Sequence, residues 1–242
     1  MENDAHLEGL NDPQKEAVTT TEGPLLVLAG AGSGKTRVIT HRIVHLILGG
    51  VAPHNILAVT FTNKSAKEMR ERVHALIKKH APSERAGFDS LPTVTTFHSL
   101  GVRILREHHE TLNLRRHFII YDRADSVRAI KKAIESAGHT TKEFEPKTML
   151  SMISRAKGDA ISRAQYLADA SSFPEKVCAE VWKFYDQTMR EEHALDFDDL
   201  LYKTLHLLES YPVVLETLQN RYRYIHVDEY QDTNKVQFAI VK

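Results

Sequence analysis

The chain has 242 residues, of which 42% are hydrophobic and 26% charged, and its 32 basic residues balance its 32 acidic ones. This composition is typical of a globular protein and argues against disorder, while the zero net charge requires any nucleic-acid surface to be a local patch. The single Cys178 excludes an intrachain disulfide and a cysteine-rich zinc site. No apolar run approaches the roughly 20 residues of a membrane span, and the polar residues 1–20 predict no signal peptide, so we expect a cytoplasmic protein without membrane contact.

Apolar runs in the first hundred residues alternate with helical patterns, which predicts a parallel sheet. The predicted strands are PLLVLA at 24–29, NILAVTFT at 55–62 and PTVTTF at 92–97. The helix after the first run and the helix after the second each carry one apolar face. Those faces consist of Val38, Ile39, Ile43, Leu46 and Ile47, and of Met69, Val73, Leu76 and Ile77.

From about 101 to 221 the pattern predicts helices without clear intervening strands, and RYRYIHVDEYQD at 221–232 then supplies a fourth strand candidate. The predicted fold is therefore α/β, a parallel sheet interrupted by an inserted helical subdomain. Basic residues concentrate at 64–85 and acidic residues at 186–199, and the simplest interpretation of each cluster is a solvated helix face.

The segment LLVLAGAGSGKTRVIT at 25–40 predicts a phosphate-binding loop. Gly30, Gly32 and Gly34 allow successive backbone N–H groups to point into one concavity. Lys35 would contact the β and γ phosphates, and the Thr36 hydroxyl would ligate Mg²⁺. The usual spacing requires glycine at position 29, where a small residue such as Ala29 suffices if its φ is negative. The residues assigned to the phosphates are Ala29, Gly30, Ala31, Gly32, Ser33, Gly34, Lys35 and Thr36.

A phosphate loop that hydrolyses its nucleotide needs acidic groups on a second strand. Asp228 and Glu229 follow the apolar Tyr224, Ile225 and Val227, so they should emerge at the carboxyl edge of the sheet. Asp228 is predicted to assist Mg²⁺, and Glu229 to act as general base for the attacking water.

Six segments together resemble the UvrD/Rep/PcrA-like group of superfamily 1 DNA helicases. In order, they are LNDPQKEAV, LAGAGSGKT, AVTFTNKSAKEMRERV, TTFHSL, LDFDDLL and VDEYQDTN. The resemblance covers nearly the whole chain and implies ATP-driven movement along single-stranded DNA in the 3′ to 5′ direction. It also implies a RecA-like ATP-binding domain at 1–104 and 221–242, with an inserted all-helical subdomain at 105–220.

The resemblance implies further nucleotide contacts. Gln14 would read the adenine edge and Arg37 would pack against adenine, although either could instead be an exposed polar residue on a helix. Gln231 would sense the γ-phosphate and couple it to neighbouring motifs.

The segments around TFTNK and TTFHSL are the ones that touch single-stranded DNA in this family. Aromatic rings offer stacking faces and the polar side chains offer phosphate donors. Phe61 could instead be a core aromatic, and His98 a core or capping residue. The residues assigned to DNA are Phe61, Thr62, Asn63, Lys64, Thr96, Phe97 and His98. Phe197, Asp198 and Asp199 either join the helical subdomain to the DNA path or have a structural role.

Relatives continue beyond the acidic motif into a second RecA-like half that carries arginine fingers, so we expect an N-terminal fragment with little ATPase activity of its own. Expected partners are single-stranded DNA, junctions of single and double strands, that second half, and accessory repair or replication proteins. Two alternatives stay open: a kinase-like P-loop phosphotransferase, and a nucleotide-dependent binding module that does not hydrolyse.

Overall fold

The computed structural model describes residues 4–30, 32–80 and 91–242, and these form eleven α-helices and five β-strands. The helices are α1 Asp12–Thr19, α2 Lys35–Leu48, α3 Asn63–His80, α4 Phe97–Glu107, α5 Arg123–Ser136, α6 Pro146–Gly158, α7 Arg163–Asp169, α8 Phe173–Glu191, α9 Phe197–Ser210, α10 Pro212–Arg221 and α11 Lys235–Val241. The strands are β1 Ile56–Thr60, β2 Thr93–Thr96, β3 Ile119–Ile120, β4 Ala194–Leu195 and β5 Tyr224–Val227. Short 3-10 helices cover Asp4–Leu7, Pro53–Asn55 and Tyr230–Asp232. None of the helices in these ranges is long and apolar enough to cross a membrane.

The chain divides into two compact units. The first unit contains Met1–Phe97 and Glu216–Asp232, and the second unit contains His98–Leu215 and Thr233–Lys242. The sequence prediction placed all of 221–242 with the sheet, whereas α11 packs against α9 and α6 and so groups with the second unit.

The first unit is built on a parallel sheet with the strand order β2-β1-β5. All five residues of the central strand β1 are buried, as expected for a strand covered on both faces. Helices α2 and α3 bury the predicted apolar faces against this sheet, with Ile43, Ile47, Met69 and Val73 each at most 1% exposed. The strand predictions at 55–62, 92–97 and 221–232 are therefore confirmed with shorter bounds.

The prediction of a strand at 24–29 is wrong for this structure. The segment belongs to no strand, and its side chains are exposed: Leu25 is 43% exposed, Leu26 63% and Leu28 85%. A strand requires cross-strand hydrogen bonds, and among the described residues β1 pairs only with β2 and β5. An apolar run indicates that a segment favours burial, but it does not show that a neighbouring strand is present to pair with it.

The second unit has its own core, formed mainly by α5, α6 and α8 around Trp182 and Tyr185. Three of its helices begin at capping boxes, at Asp122, Ser172 and Asp196. The region is not all-helical as predicted, because β3 and β4 form a short parallel pair. Two-residue strands are too short for the period of two to be recognised in sequence.

Candidate nucleotide site and nucleic-acid interface

The carboxyl ends of the three parallel strands meet at one edge of the sheet. The register pairs Val59 of β1 with Val227 of β5 and Thr60 with Thr96 of β2. The residues that follow each strand are therefore neighbours at this edge, where ligands of open α/β sheets bind. This arrangement brings the segments beginning at Phe61, Phe97 and Asp228 to one side of the first unit.

The glycine-rich loop leads into α2, and two of its glycines have a left-handed backbone conformation. Gly32 has φ 74° and Gly34 has φ 88°, a region that favours glycine, whereas neither Ala29 nor Gly30 has a positive φ. The condition set for Ala29, a φ that is not positive, is therefore met, while its place in a phosphate site stays a prediction; Ala31 lies outside the described residues. Lys35 Nζ donates to the carbonyls of Ala29 at 3.0 Å and Gly30 at 3.3 Å.

Helix α1 is fastened to the same loop through Gln14. The Gln14 side chain closes a capping box with Asn11, and its Nε2 donates to the Ser33 carbonyl at 3.0 Å. Ser33 in turn donates to the Gly30 carbonyl at 2.7 Å. Arg37 lies beside Gly9, where its Nη2 would be 3.1 Å from a Cβ built on that glycine. Gln14 is thus hydrogen-bonded to the loop, whereas Arg37, which follows Thr36, lies next to Gly9.

Thr36 and Asp228 come from distant parts of the chain and meet at the start of α2. The Thr36 hydroxyl lies 3.5 Å from Asp228 Oδ2, while Oδ1 is buried and has no hydrogen-bond partner among the described residues. Burial and the neighbouring Glu229 raise the pKa of the Asp228 carboxyl, and Thr36 and Lys35 oppose that rise. A hydroxyl beside a carboxylate oxygen that lacks a partner is a donor set that suits Mg²⁺.

Glu229 adopts a backbone conformation that non-glycine residues rarely take, with φ 49°. Its Oε2 accepts a hydrogen bond from Gln231 Nε2 at 2.6 Å. Such conformations concentrate at functional sites, where the surrounding structure holds them in place. The two residues assigned to water activation and γ-phosphate sensing are therefore in direct contact.

The aromatic residues after β1 and β2 contact each other, with ring centroids 5.6 Å apart. Phe61 is partly exposed, but Phe97 is only 2% exposed. The prediction that Phe97 offers a stacking face needs correction. Its ring is almost fully buried and contacts that of Phe61, so it is not available to a base. Thr96 is also buried, at 6% exposure.

The N-terminus of α3 presents the polar part of this surface. The Thr62 hydroxyl accepts from the Ser65 N–H at 3.0 Å, while the Asn63 and Lys64 side chains are exposed. The basic segment is partly neutralised, because Lys64 and Arg72 pair with Glu68 and Lys67 pairs with Glu71. Arg85 lies outside the described residues.

His98 begins the second unit and lies against Phe197, for which the sequence left open a role in the DNA path or a structural one. Its ring meets that of Phe197 edge-on at 5.5 Å, and Phe197 is 52% exposed. Burial lowers the pKa of His98, which favours its neutral form.

The interpretation of 186–199 as a solvated face is wrong for Asp196 and Asp199, which are buried against Lys157. Lys157 was not among the residues predicted from the sequence. It occupies the buried stripe of α6 with Met149, Leu150, Ile153 and Ala156, so helical periodicity could have identified it.

Comparisons with known proteins identify the family of this chain. A family model described as the UvrD/REP helicase N-terminal domain matches residues 10–242. Over 239 residues, 98% of this chain, it is 45% identical to an ATP-dependent DNA helicase PcrA of Staphylococcus epidermidis and 44% identical to one of Staphylococcus aureus. It spans 32% of the length of each of these relatives. This chain belongs to the UvrD/REP helicase family, to the part that forms the N-terminal domain.

Proposed function

We propose that this chain is the ATP-binding part of an ATP-dependent DNA helicase that moves 3′ to 5′ along single-stranded DNA. The observation that carries the nucleotide site is the approach of the Thr36 hydroxyl to Asp228 at the end of the glycine-rich loop. One carboxylate oxygen of Asp228 is buried and lacks a partner, and burying such an atom is costly unless a ligand satisfies it.

Each residue of the loop and of the acidic motif has a distinct role in this proposal. The loop amides and Lys35 bind the β and γ phosphates, and Thr36 and Asp228 hold Mg²⁺. Mg²⁺ bound with ATP neutralises charge on the β and γ phosphates. Glu229 accepts the proton of the attacking water, and Gln231, which is hydrogen-bonded to it, senses the γ-phosphate.

Two residues near the loop select the base. Gln14 presents its amide to the adenine edge from a position fixed by the loop itself. Arg37 packs on the adenine ring. Because Gln14 Nε2 binds the Ser33 carbonyl, adenine recognition is linked to the shape of the phosphate loop.

We propose that Phe61 stacks on a DNA base and that Phe97 supports it from behind, in agreement with their exposures. Thr62, Asn63, Lys64 and the α3 N-terminus contact phosphates. Thr96, which is buried at the end of β2, is also assigned to the DNA-binding surface in this proposal. On the second unit, His98 and the exposed Phe197 offer an aromatic face to the same class of ligand.

The whole protein, in this proposal, contains a second RecA-like half that supplies arginine fingers. Arginine fingers contribute about 10³ to 10⁵ in rate in comparable systems, so the 242-residue chain alone should hydrolyse ATP slowly and not unwind DNA. The greater length of the relatives supports the presence of such a second half. We place the protein in the cytoplasm, acting at single-strand and junction DNA with repair or replication partners. We propose domain bounds of 1–104 with 221–242 for the RecA-like domain and 105–220 for the inserted subdomain; α11 falls within the first of these by chain order, although it packs against α9 and α6.

A titration with a fluorescent ATP analogue tests the nucleotide site. The chain should bind the analogue with Mg²⁺ and more weakly with EDTA. Lys35→Ala should abolish binding, whereas Lys142→Ala, an exposed lysine of the second unit, should leave it unchanged. Binding by Lys35→Ala as tight as that of the parent chain would contradict the site.

A second titration, with a fluorescent oligonucleotide, separates the helicase from the two alternatives. We expect salt-sensitive binding to single strands, tighter than to duplex and altered by a non-hydrolysable ATP analogue. A phosphotransferase would bind no DNA and would transfer the γ-phosphate to a small acceptor. A nucleotide-dependent binding module would bind the ATP analogue but would not hydrolyse ATP, even in the longer protein. In the longer protein, Glu229→Gln should eliminate hydrolysis, and full activity in that variant would refute the assigned base.

A further inference from the structure

A buried ionic cluster lies at the start of α9 in the second unit. Lys157 Nζ is 2.9 Å from Asp196 Oδ2 and 2.9 Å from Asp199 Oδ1, and all three side chains are almost completely buried. The Tyr185 hydroxyl donates to Asp196 Oδ2 at 2.8 Å. Burial opposes the charge of Lys157, yet the two carboxylates raise its pKa well above the usual value. Lys157 is therefore a cation that joins α6 to the first turn of α9.

The same two carboxylates form the cap of α9. The Asp199 N–H donates to Asp196 Oδ1 at 2.7 Å, and the Asp196 N–H lies 3.4 Å from Asp199 Oδ2. Each carboxylate thus binds the backbone with one oxygen and Lys157 with the other. The ammonium of Lys157 consequently fixes the backbone on both sides of Phe197.

Phe197 is the residue between these anchors that points its side chain into solvent. Its ring is 52% exposed and meets His98 of α4 edge-on. Helices α4 and α9 touch backbone to backbone nearby, because a Cβ on Gly101 would lie 2.5 Å from the Leu200 carbonyl oxygen. An exposed aromatic on a firmly held backbone loses little entropy when a flat ligand stacks on it.

We propose that Lys157 is a positioning residue, which holds the first turn of α9 so that the Phe197 ring, braced by His98, is preorganised to stack on a nucleobase. The inference rests on the proposed DNA-binding function. According to this inference, the buried Lys157, which is distant in sequence from the nucleotide loop, increases the part of the DNA affinity that depends on the bases.

The first measurement requires no DNA. The chain is labelled with 4-fluorophenylalanine, and the ¹⁹F signal of Phe197 is assigned by its loss in Phe197→Leu. Lys157→Met should shift or broaden that signal. Because Lys157→Met leaves two carboxylates buried without their cation, Tyr185→Phe serves as a milder second variant and should give a smaller change of the same kind. An unchanged Phe197 signal in both folded variants would overturn the proposal.

The second measurement compares affinities for a fluorescent dT16 strand and for an abasic strand of the same length. Phe197→Ala should weaken dT16 binding at least about fivefold and leave abasic binding nearly unchanged. Lys157→Met should reduce the ratio of the two affinities by a similar factor, and the double variant should reduce it no further. Additive losses, or a normal ratio in Lys157→Met, would overturn the inference.

Two control variants separate positioning from general effects. Lys147→Met removes the same charge from an exposed position of α6 and should leave the affinity ratio unchanged. Ile153→Val weakens the same core and should lower stability without altering the ratio or the Phe197 signal. If Phe197→Ala has no effect on DNA binding, the proposed DNA surface is wrong at this residue, while the ¹⁹F signal still decides whether Lys157 positions the ring.

Discussion

Gly101→Ala should destabilise the second unit, although the same change usually stabilises a helix. In a helix interior, alanine is favoured over glycine by about 1 kcal/mol. Here the added Cβ would lie 2.5 Å from the Leu200 carbonyl oxygen and 3.2 Å from Thr204 Oγ1, whereas ordinary contact begins near 3.4 Å. To restore ordinary contact between the added Cβ and the Leu200 oxygen, α4 and α9 would have to move apart by about 0.9 Å, the difference between 2.5 Å and 3.4 Å. Overpacking costs about 1–3 kcal/mol, and a clash of this size with backbone rather than with a flexible side chain lies near the top of that range. Subtracting the helix gain of about 1 kcal/mol leaves an expected net loss of about 2 kcal/mol.

Urea and thermal unfolding, followed by circular dichroism, measure this loss. For a chain of this size about 2 kcal/mol corresponds to a fall in Tm of about 4–8 °C. Gly158→Ala is the matched control, because it is also helical and its Cβ would meet nothing closer than Asn234 Nδ2 at 3.8 Å. A Gly101→Ala protein as stable as the Gly158→Ala protein would refute the close approach of α4 and α9.

Three further predictions concern pH, DNA and nucleotide. His226 is buried in β5, where burial and Arg42 lower its pKa to about 4, below its value in the unfolded chain. Because the unfolded chain binds this proton first, the fold loses stability as the pH falls from 6.5 toward 4, by about 3 kcal/mol in all. His226→Gln should flatten this part of the stability profile, and an unchanged profile would contradict the burial argument. Phe61→Ala should weaken single-strand binding by about 1–3 kcal/mol in fluorescence anisotropy, and equal affinity for dT16 would exclude it as a stacking residue. Gln14→Ala should reduce the affinity for ATP more than the affinity for a nucleoside triphosphate whose base lacks the adenine amino group. Equal losses of affinity would show that Gln14 acts only through the loop.

The sequence was sufficient for features that depend on local periodicity and on backbone chemistry. Helices α2 and α3 were predicted with their buried faces because an apolar residue every three or four positions has one stable solution against a sheet. The loop before Lys35 was recognisable because Gly32 and Gly34 take positive φ values that few other residues tolerate. The acidic motif was placed at the sheet edge because a short apolar run fixes where β5 ends.

Tertiary structure decided the features that depend on which surfaces meet. Leu25 and Leu28 read as a strand, but pairing requires a partner edge, and only three-dimensional structure determines whether one is present. Phe61 and Phe97 look equivalent in sequence, yet one ring is partly exposed and the other is buried beneath it. Asp196 and Asp199 look like solvated acids because their counterion, Lys157, is supplied by a helix almost forty residues earlier in the chain. Local patterns record what each segment can form, whereas long-range contacts fix which charges are paired and which rings remain open to a ligand.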